Sequence, residues 1–145
     1  MKPIFLTIET TVEVSVDKVW KLWTTPEDIV KWNFASADWH TTKAENNPVP
    51  GGHFSSRMEA KDGSFGFDFY GIYDQVEACK LIEYTLGDHR KVKIVFESID
   101  GQTKITETFE AETSNPIELQ QAGWQAIMDN FKKYAESGNH DWVYV

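Results

Sequence analysis

From Gly51 to Glu112 the chain runs as one strand-like segment after another, each alternating apolar and polar residues and each ended by turn residues. That pattern limits the fold sharply. A period of two gives each strand one covered and one wetter face, and short turns force consecutive strands to pair antiparallel. Gly51-Gly52 opens the first, with Phe54, Ser56, Met58 and Ala60 on one side and His53, Ser55, Arg57 and Glu59 on the other. Lys61-Asp62-Gly63-Ser64 carries an Asp-Gly hairpin turn. The return strand sets Phe65, Phe67 and Phe69 against Asp68 and Tyr70, and Gly71 reads as a bulge after which Tyr73 and Val76 change face. Leu81 to Leu86 follows, then a turn at Gly87-Asp88 and the alternating Val92, Ile94 and Phe96. A second hairpin turn at Asp100-Gly101 leads into Thr103 to Glu112.

Other periods flank this meander. Ile4 to Val16 is β-branched and predicts a long first strand. Ser15 then serves as an N-cap for a short helix bearing Val19, Trp20, Leu22 and Trp23. Thr25-Pro26-Glu27-Asp28 starts a second, with Ile29, Val30 and Trp32 as its stripe: a capping hydroxyl, a proline at the first position and acids at the positive end. Asn33 to Pro50 is polar, contains Pro48 and Pro50, and reads as a connection long enough to act as a lid. After the meander, Asn115-Pro116-Ile117-Glu118 begins a long helix with Asn115 as cap. Leu119, Trp124, Ile127, Met128, Phe131 and Tyr134 form its apolar stripe, and Gly138 stops it. The result is an α+β fold, a curved antiparallel sheet wrapped around a long C-terminal helix with two short helices after the first strand. Apolar volume lies between sheet and helix.

The 145 residues suit one domain, 1–145, and no repeat or linker divides them. Lys plus Arg numbers 14 against 23 Asp plus Glu, for a net charge of −9 that disfavours nucleic acid and anionic membrane surfaces. Cys79 is the only cysteine, read as a buried, inert thiol, so no intrachain disulfide or thiolate cluster is available. The N-terminal segment meets Glu9 too soon for a signal-peptide core, and no stretch is apolar enough to span a membrane. These features point to a soluble protein of the cytoplasm. The apolar tail, His140 to Val145, is expected to pack back, join a sheet edge or support a homodimer.

Several segments together resemble a known family. Val14-Ser15-Val16-Asp17-Lys18-Val19-Trp20, Thr25-Pro26-Glu27-Asp28 and Trp32 are similar to the opening of the START-like (SRPBCC) superfamily. Within it they most resemble proteins related to the C-terminal domain of the activator of heat-shock protein 90 ATPase. Gly51-Gly52-His53-Phe54, Gly71-Ile72-Tyr73, Lys80 to Thr85, Thr103 to Thr106 and Gly123-Trp124 continue the match, in order, from about Thr10 to Ala135. Residues 136–145 are left as a tail. The resemblance implies a helix-grip fold with a deep cavity, whose members include lipid carriers, hormone receptors, polyketide cyclases and the chaperone activator itself.

The candidate site follows from residues that face the helix. Trp32, Phe54, Met58, Phe67, Phe69 and Tyr84 are expected to line an apolar pocket. Phe96, Phe109, Trp124, Met128 and Phe131 complete the set, with Trp124 as the preferred wall on the gripping helix. Glu107 shares parity with Ile105 and Phe109, so the same register carries a carboxylate inward, where it must be paired, protonated or used to bind. Outward-facing His53 and Arg57 sit opposite Asp68 and Tyr70 as cross-strand partners on the solvated face. His40, His89 and His140 have no metal-binding spacing, and no nucleophile elbow, phosphate loop or cofactor motif appears. The leading expectation is a module that binds a small hydrophobic or amphipathic ligand without metal or cofactor. The alternatives are a cyclase or dehydratase using Glu107 as acid or base, and a chaperone-binding co-regulator.

Overall fold

The computed structural model describes residues 2–138, so the tail from His140 to Val145 lies outside the described residues. Ten elements follow one another: β1 (Phe5–Val12), α1 (Val16–Thr24), α2 (Pro26–Trp32), β2 (Trp39–Asn46), β3 (His53–Ala60), β4 (Gly66–Glu77), β5 (Leu81–Leu86), β6 (Lys91–Ile99), β7 (Gln102–Glu110) and α3 (Ile117–Ser137). The strands make one antiparallel seven-stranded sheet in the order β1-β7-β6-β5-β4-β3-β2. β2 to β7 form an uninterrupted meander, and β1 closes against its last strand. The curved sheet grips α3, as a helix-grip fold does.

Alternation builds the core. Ile82, Tyr84 and Leu86 on β5, Val92, Ile94 and Phe96 on β6, and Ile105 and Phe109 on β7 all turn one way and are buried. Opposite them α3 contributes buried Met128, Phe131 and Ala135. Asp100 and Gly101 both hold positive φ, 51° and 82°, the geometry a two-residue hairpin needs to match strand twist. One end of the core is solid aromatic packing. Trp23 lies 4.9 Å from Trp32, 5.6 Å from Phe96 and 4.8 Å from Phe131 by ring centroid. There Asn130 Nδ2 donates to the Trp32 carbonyl at 2.8 Å, tying α3 to α2.

Several sequence expectations are corrected. The first strand ends at Val12, because Val14 accepts a 2.8 Å hydrogen bond from the Thr103 hydroxyl and Glu13 N–H donates to Glu136, which bends the chain into α1. The supposed lid from Asn33 to Pro50 contains β2, an edge strand whose alternation is broken by a register shift between Thr41 and Lys43. Gly71 is no bulge: it pairs in register with Phe54 and Leu86, and the irregularity falls between Tyr73 and Gln75. Tyr73 therefore keeps the inward parity of Phe69. Neither Ser15 nor Thr25 makes a side-chain cap bond. Pro116, not Asn115, caps α3, because Glu112 draws the Ser114 and Asn115 amides into its own carboxylate. Leu119 in the first turn is 60% exposed and does not belong to the core stripe. Cys79 is half-buried, not buried, in the turn after β4, where its thiol donates to Asp17 at 3.5 Å. Burial and the nearby Asp17 carboxylate hold that thiol above its ordinary pKa.

Candidate functional site

The backbone of α3 runs beside β1 and α2 and stands away from β3, β4 and β5. The space left beneath it is a cavity of about 510 Å³, within the range that takes a small organic ligand. Its side wall is aromatic. Phe54 lies 4.7 Å from Tyr84 and 5.2 Å from Tyr73, ring centroid to centroid. Trp124 stacks flat on Phe109 at 4.0 Å and meets Phe69 edge-on at 6.0 Å, so it bridges helix and sheet. Gly71 makes this wall possible. A Cβ there would stand 2.9 Å from the Phe54 ring and 2.5 Å from the Thr85 carbonyl, so Phe54 occupies the place of the missing side chain.

Several polar groups of the lining are engaged with other protein groups. The Tyr73 hydroxyl donates to Asn46 Oδ1 at 2.5 Å, and Asn46 Nδ2 donates to the Thr24 carbonyl at 2.7 Å. Buried Gln120 donates to the carbonyls of Glu112 and Asn115, pinning the loop that enters α3. Arg90 is held by Asp88 at 2.7 Å. Tyr84 stays a neutral phenol, because burial above all and the nearby Glu107 push its pKa well up.

Glu107 differs from all of these. It is 7% exposed, it lines the cavity, and its neighbours across the sheet are Ile8 and Ile94. Among the described residues no side chain hydrogen-bonds or ion-pairs with its carboxyl, and burial alone raises its pKa from 4.5 to about 8. At neutral pH the group is therefore a protonated carboxylic acid, able to donate one hydrogen bond and accept others.

The structure brings together Trp32, Phe54, Met58, Phe67, Phe69 and Tyr84 in the lining, with Glu107, Trp124 and Met128. It leaves Phe96, Phe109 and Phe131 out of that lining. Phe96 is spent between Trp20 and Trp23, Phe109 lies beneath Trp124, and Phe131 fills the aromatic end. Lining residues that sequence reasoning missed include Trp23, Trp39, Asn46, Tyr73 and Arg90. Trp39 and Asn46 sit on the strand whose register shift hid its alternation. Tyr73 was masked by placing the bulge at Gly71. On the outer face Arg57 pairs across the strands with Asp68 at 3.6 Å and along its own strand with Glu59 at 3.0 Å, whereas His53 stands opposite Ile72 and not Asp68 or Tyr70. Among the described residues no group of three or more His, Cys, Asp or Glu is placed to hold a metal ion, and no helix is long and apolar enough to cross a membrane.

Comparison with known proteins agrees with this geometry. The family model described as activator of Hsp90 ATPase homolog 1-like protein matches residues 13–136. An AHSA1-like protein from Aeromonas hydrophila, solved by NMR, is 45% identical, with a TM-score of 0.87 over 94% of this chain and 97% of its own. Protein Chr148 from Cytophaga hutchinsonii is 51% identical, with a TM-score of 0.79 over 92% of this chain and 94% of its own. Protein CV1439 from Chromobacterium violaceum shares only 17% identity yet reaches a TM-score of 0.83 over 92% of this chain and 99% of its own, a likeness of fold. None of the curated proteins matches.

Proposed function

The chain belongs to the activator of Hsp90 ATPase homolog 1-like family, and we propose that this member binds a small hydrophobic or amphipathic ligand between its sheet and α3. The observation that carries this reading is the aromatic-walled cavity of about 510 Å³ beneath α3. Close packing normally leaves interiors with few voids larger than a water molecule. A concave space of this size, walled by apolar and aromatic side chains, presents surface whose removal from water favours binding. The few polar groups orient rather than attract, which suits a ligand driven in by apolar burial.

The test is replacement of Trp124 by alanine. The indole bridges Phe109 and Phe69, so its loss enlarges the cavity and removes one wall. Affinity for a neutral apolar fluorophore such as Nile red falls at least about fivefold while the far-ultraviolet circular dichroism is unchanged. Unaltered affinity would count against the cavity as the binding site.

One observation favours a second reading, an acid-base enzyme of the cyclase or dehydratase kind. Glu107 is a buried carboxylic acid kept protonated near neutral pH, the state a general acid acting on a bound carbonyl compound requires. Such an enzyme would lose turnover, and not merely affinity, on Glu107→Gln.

A further inference from the structure

We propose that Glu107 chooses the ligand's polar end: it donates a hydrogen bond to an uncharged acceptor, a ketone, aldehyde or ester carbonyl, and rejects ligands that end in a carboxylate. This deepens the binding reading above and rests on it. Three observations lead there. The carboxyl is buried, lines the cavity and has no partner among the described residues. A donor left unsatisfied in an apolar site is a standing cost that a ligand acceptor removes. Ile94, paired with it across the sheet, and Trp124 and Met128 of α3 line the same cavity, so the rest of the ligand meets apolar surface.

The charged and titratable groups facing this point settle which acceptor fits. Tyr84 on β5 and Tyr73 on β4 are neutral phenols, because burial raises both. Glu45 on β2 and Glu112 after β7 line the same cavity and are acids. Arg90 is the one cation among the described lining residues, and Asp88 already holds it at 2.7 Å. The faces of α2 and α3 that line the cavity, around Trp32, Trp124 and Met128, bring no titratable group, nor does Ile8 of β1. A ligand carboxylate would enter beside carboxyls of its own kind, with only this Asp88-neutralised guanidinium to meet it. A carbonyl oxygen carries no such penalty and can accept the hydrogen bond that Glu107 offers.

Probes of equal chain length test the idea: methyl octyl ketone and decanoate, each displacing Nile red. Near neutral pH the ketone displaces the dye at a concentration at least about tenfold below that needed for decanoate. Its affinity then falls about tenfold between roughly pH 7 and pH 9, as the Glu107 proton is lost. Glu107→Gln keeps ketone binding, because its amide N–H still donates, and abolishes that pH dependence. Glu107→Leu loses the preference for the ketone over decanoate, with Nile red affinity measured on each variant because that dye carries a carbonyl of its own. Decanoate binding as tightly as the ketone overturns the inference, as does a pH profile that Glu107→Gln leaves unchanged. If the wild-type protein fails to bind Nile red or the ketone at all, the binding reading falls first and this inference falls with it.

Discussion

Glutamine in place of Glu107 isolates the energetics of the buried acid. In the folded protein the carboxyl titrates at about 8 against 4.5 for an ordinary glutamate, so between those values the native state holds a proton that the unfolded chain releases. Stability must then fall as pH rises: the contribution is fully present below about pH 4.5 and is lost by about pH 8, at roughly 1.4 kcal/mol per pH unit. The wild type gives up roughly 3 kcal/mol of stability by about pH 7 and about 5 kcal/mol by about pH 8. Glutamine copies the shape and polarity of the protonated acid and does not titrate. Urea unfolding of both proteins across this range measures the effect, and the other titrating groups cancel in the difference. Near pH 4 the two should be about equally stable, with the variant ahead by roughly 3 kcal/mol near pH 7. A difference that stays constant with pH would refute the assignment of Glu107 as a buried, unpartnered acid.

Other substitutions probe the frame around the cavity. Gly71→Ala places a methyl group against the Phe54 ring and the Thr85 carbonyl; calorimetry should show a loss of about 1–3 kcal/mol, and the displaced Phe54 should weaken Nile red binding. Phe131→Ala, in the solid aromatic end, should cost about 3–5 kcal/mol in urea unfolding. Leu119→Ala should change stability by less than about 0.5 kcal/mol, since that side chain is 60% exposed.

Much of this architecture could be read from the chain because the strands bury one face each. Alternation placed Tyr84, Ile94, Ile105 and Phe109 inward without any structure, and the same parity carried Glu107 with them. Where the backbone departs from strict period, the reading failed. One register shift between Thr41 and Lys43 was enough to make β2 look like a connection. A glycine that accommodates a neighbouring ring at Gly71 looked like one that bends a strand. The helix stripe was extended one turn too far to Leu119, because periodicity says which face a residue occupies and not whether anything lies opposite. The same limit governs the site. Phe54 and Phe96 have equal inward parity, yet Phe54 borders open space and Phe96 is enclosed by two tryptophans. How far α3 stands from β3 and β4 decides between wall and core, and that distance comes from the docking of α3 on β1 and α2.

The account rests on a ligand lying between the sheet and α3, and intermolecular nuclear Overhauser effects to a bound probe measure this directly. With isotope-labelled protein and unlabelled methyl octyl ketone, contacts are expected from the probe's alkyl protons to the Trp124 indole, the Phe54 ring and the methyl groups of Met58 and Met128. A saturable complex whose contacts fall instead on the outer face of β4, at Tyr70 and Ile72, would contradict it.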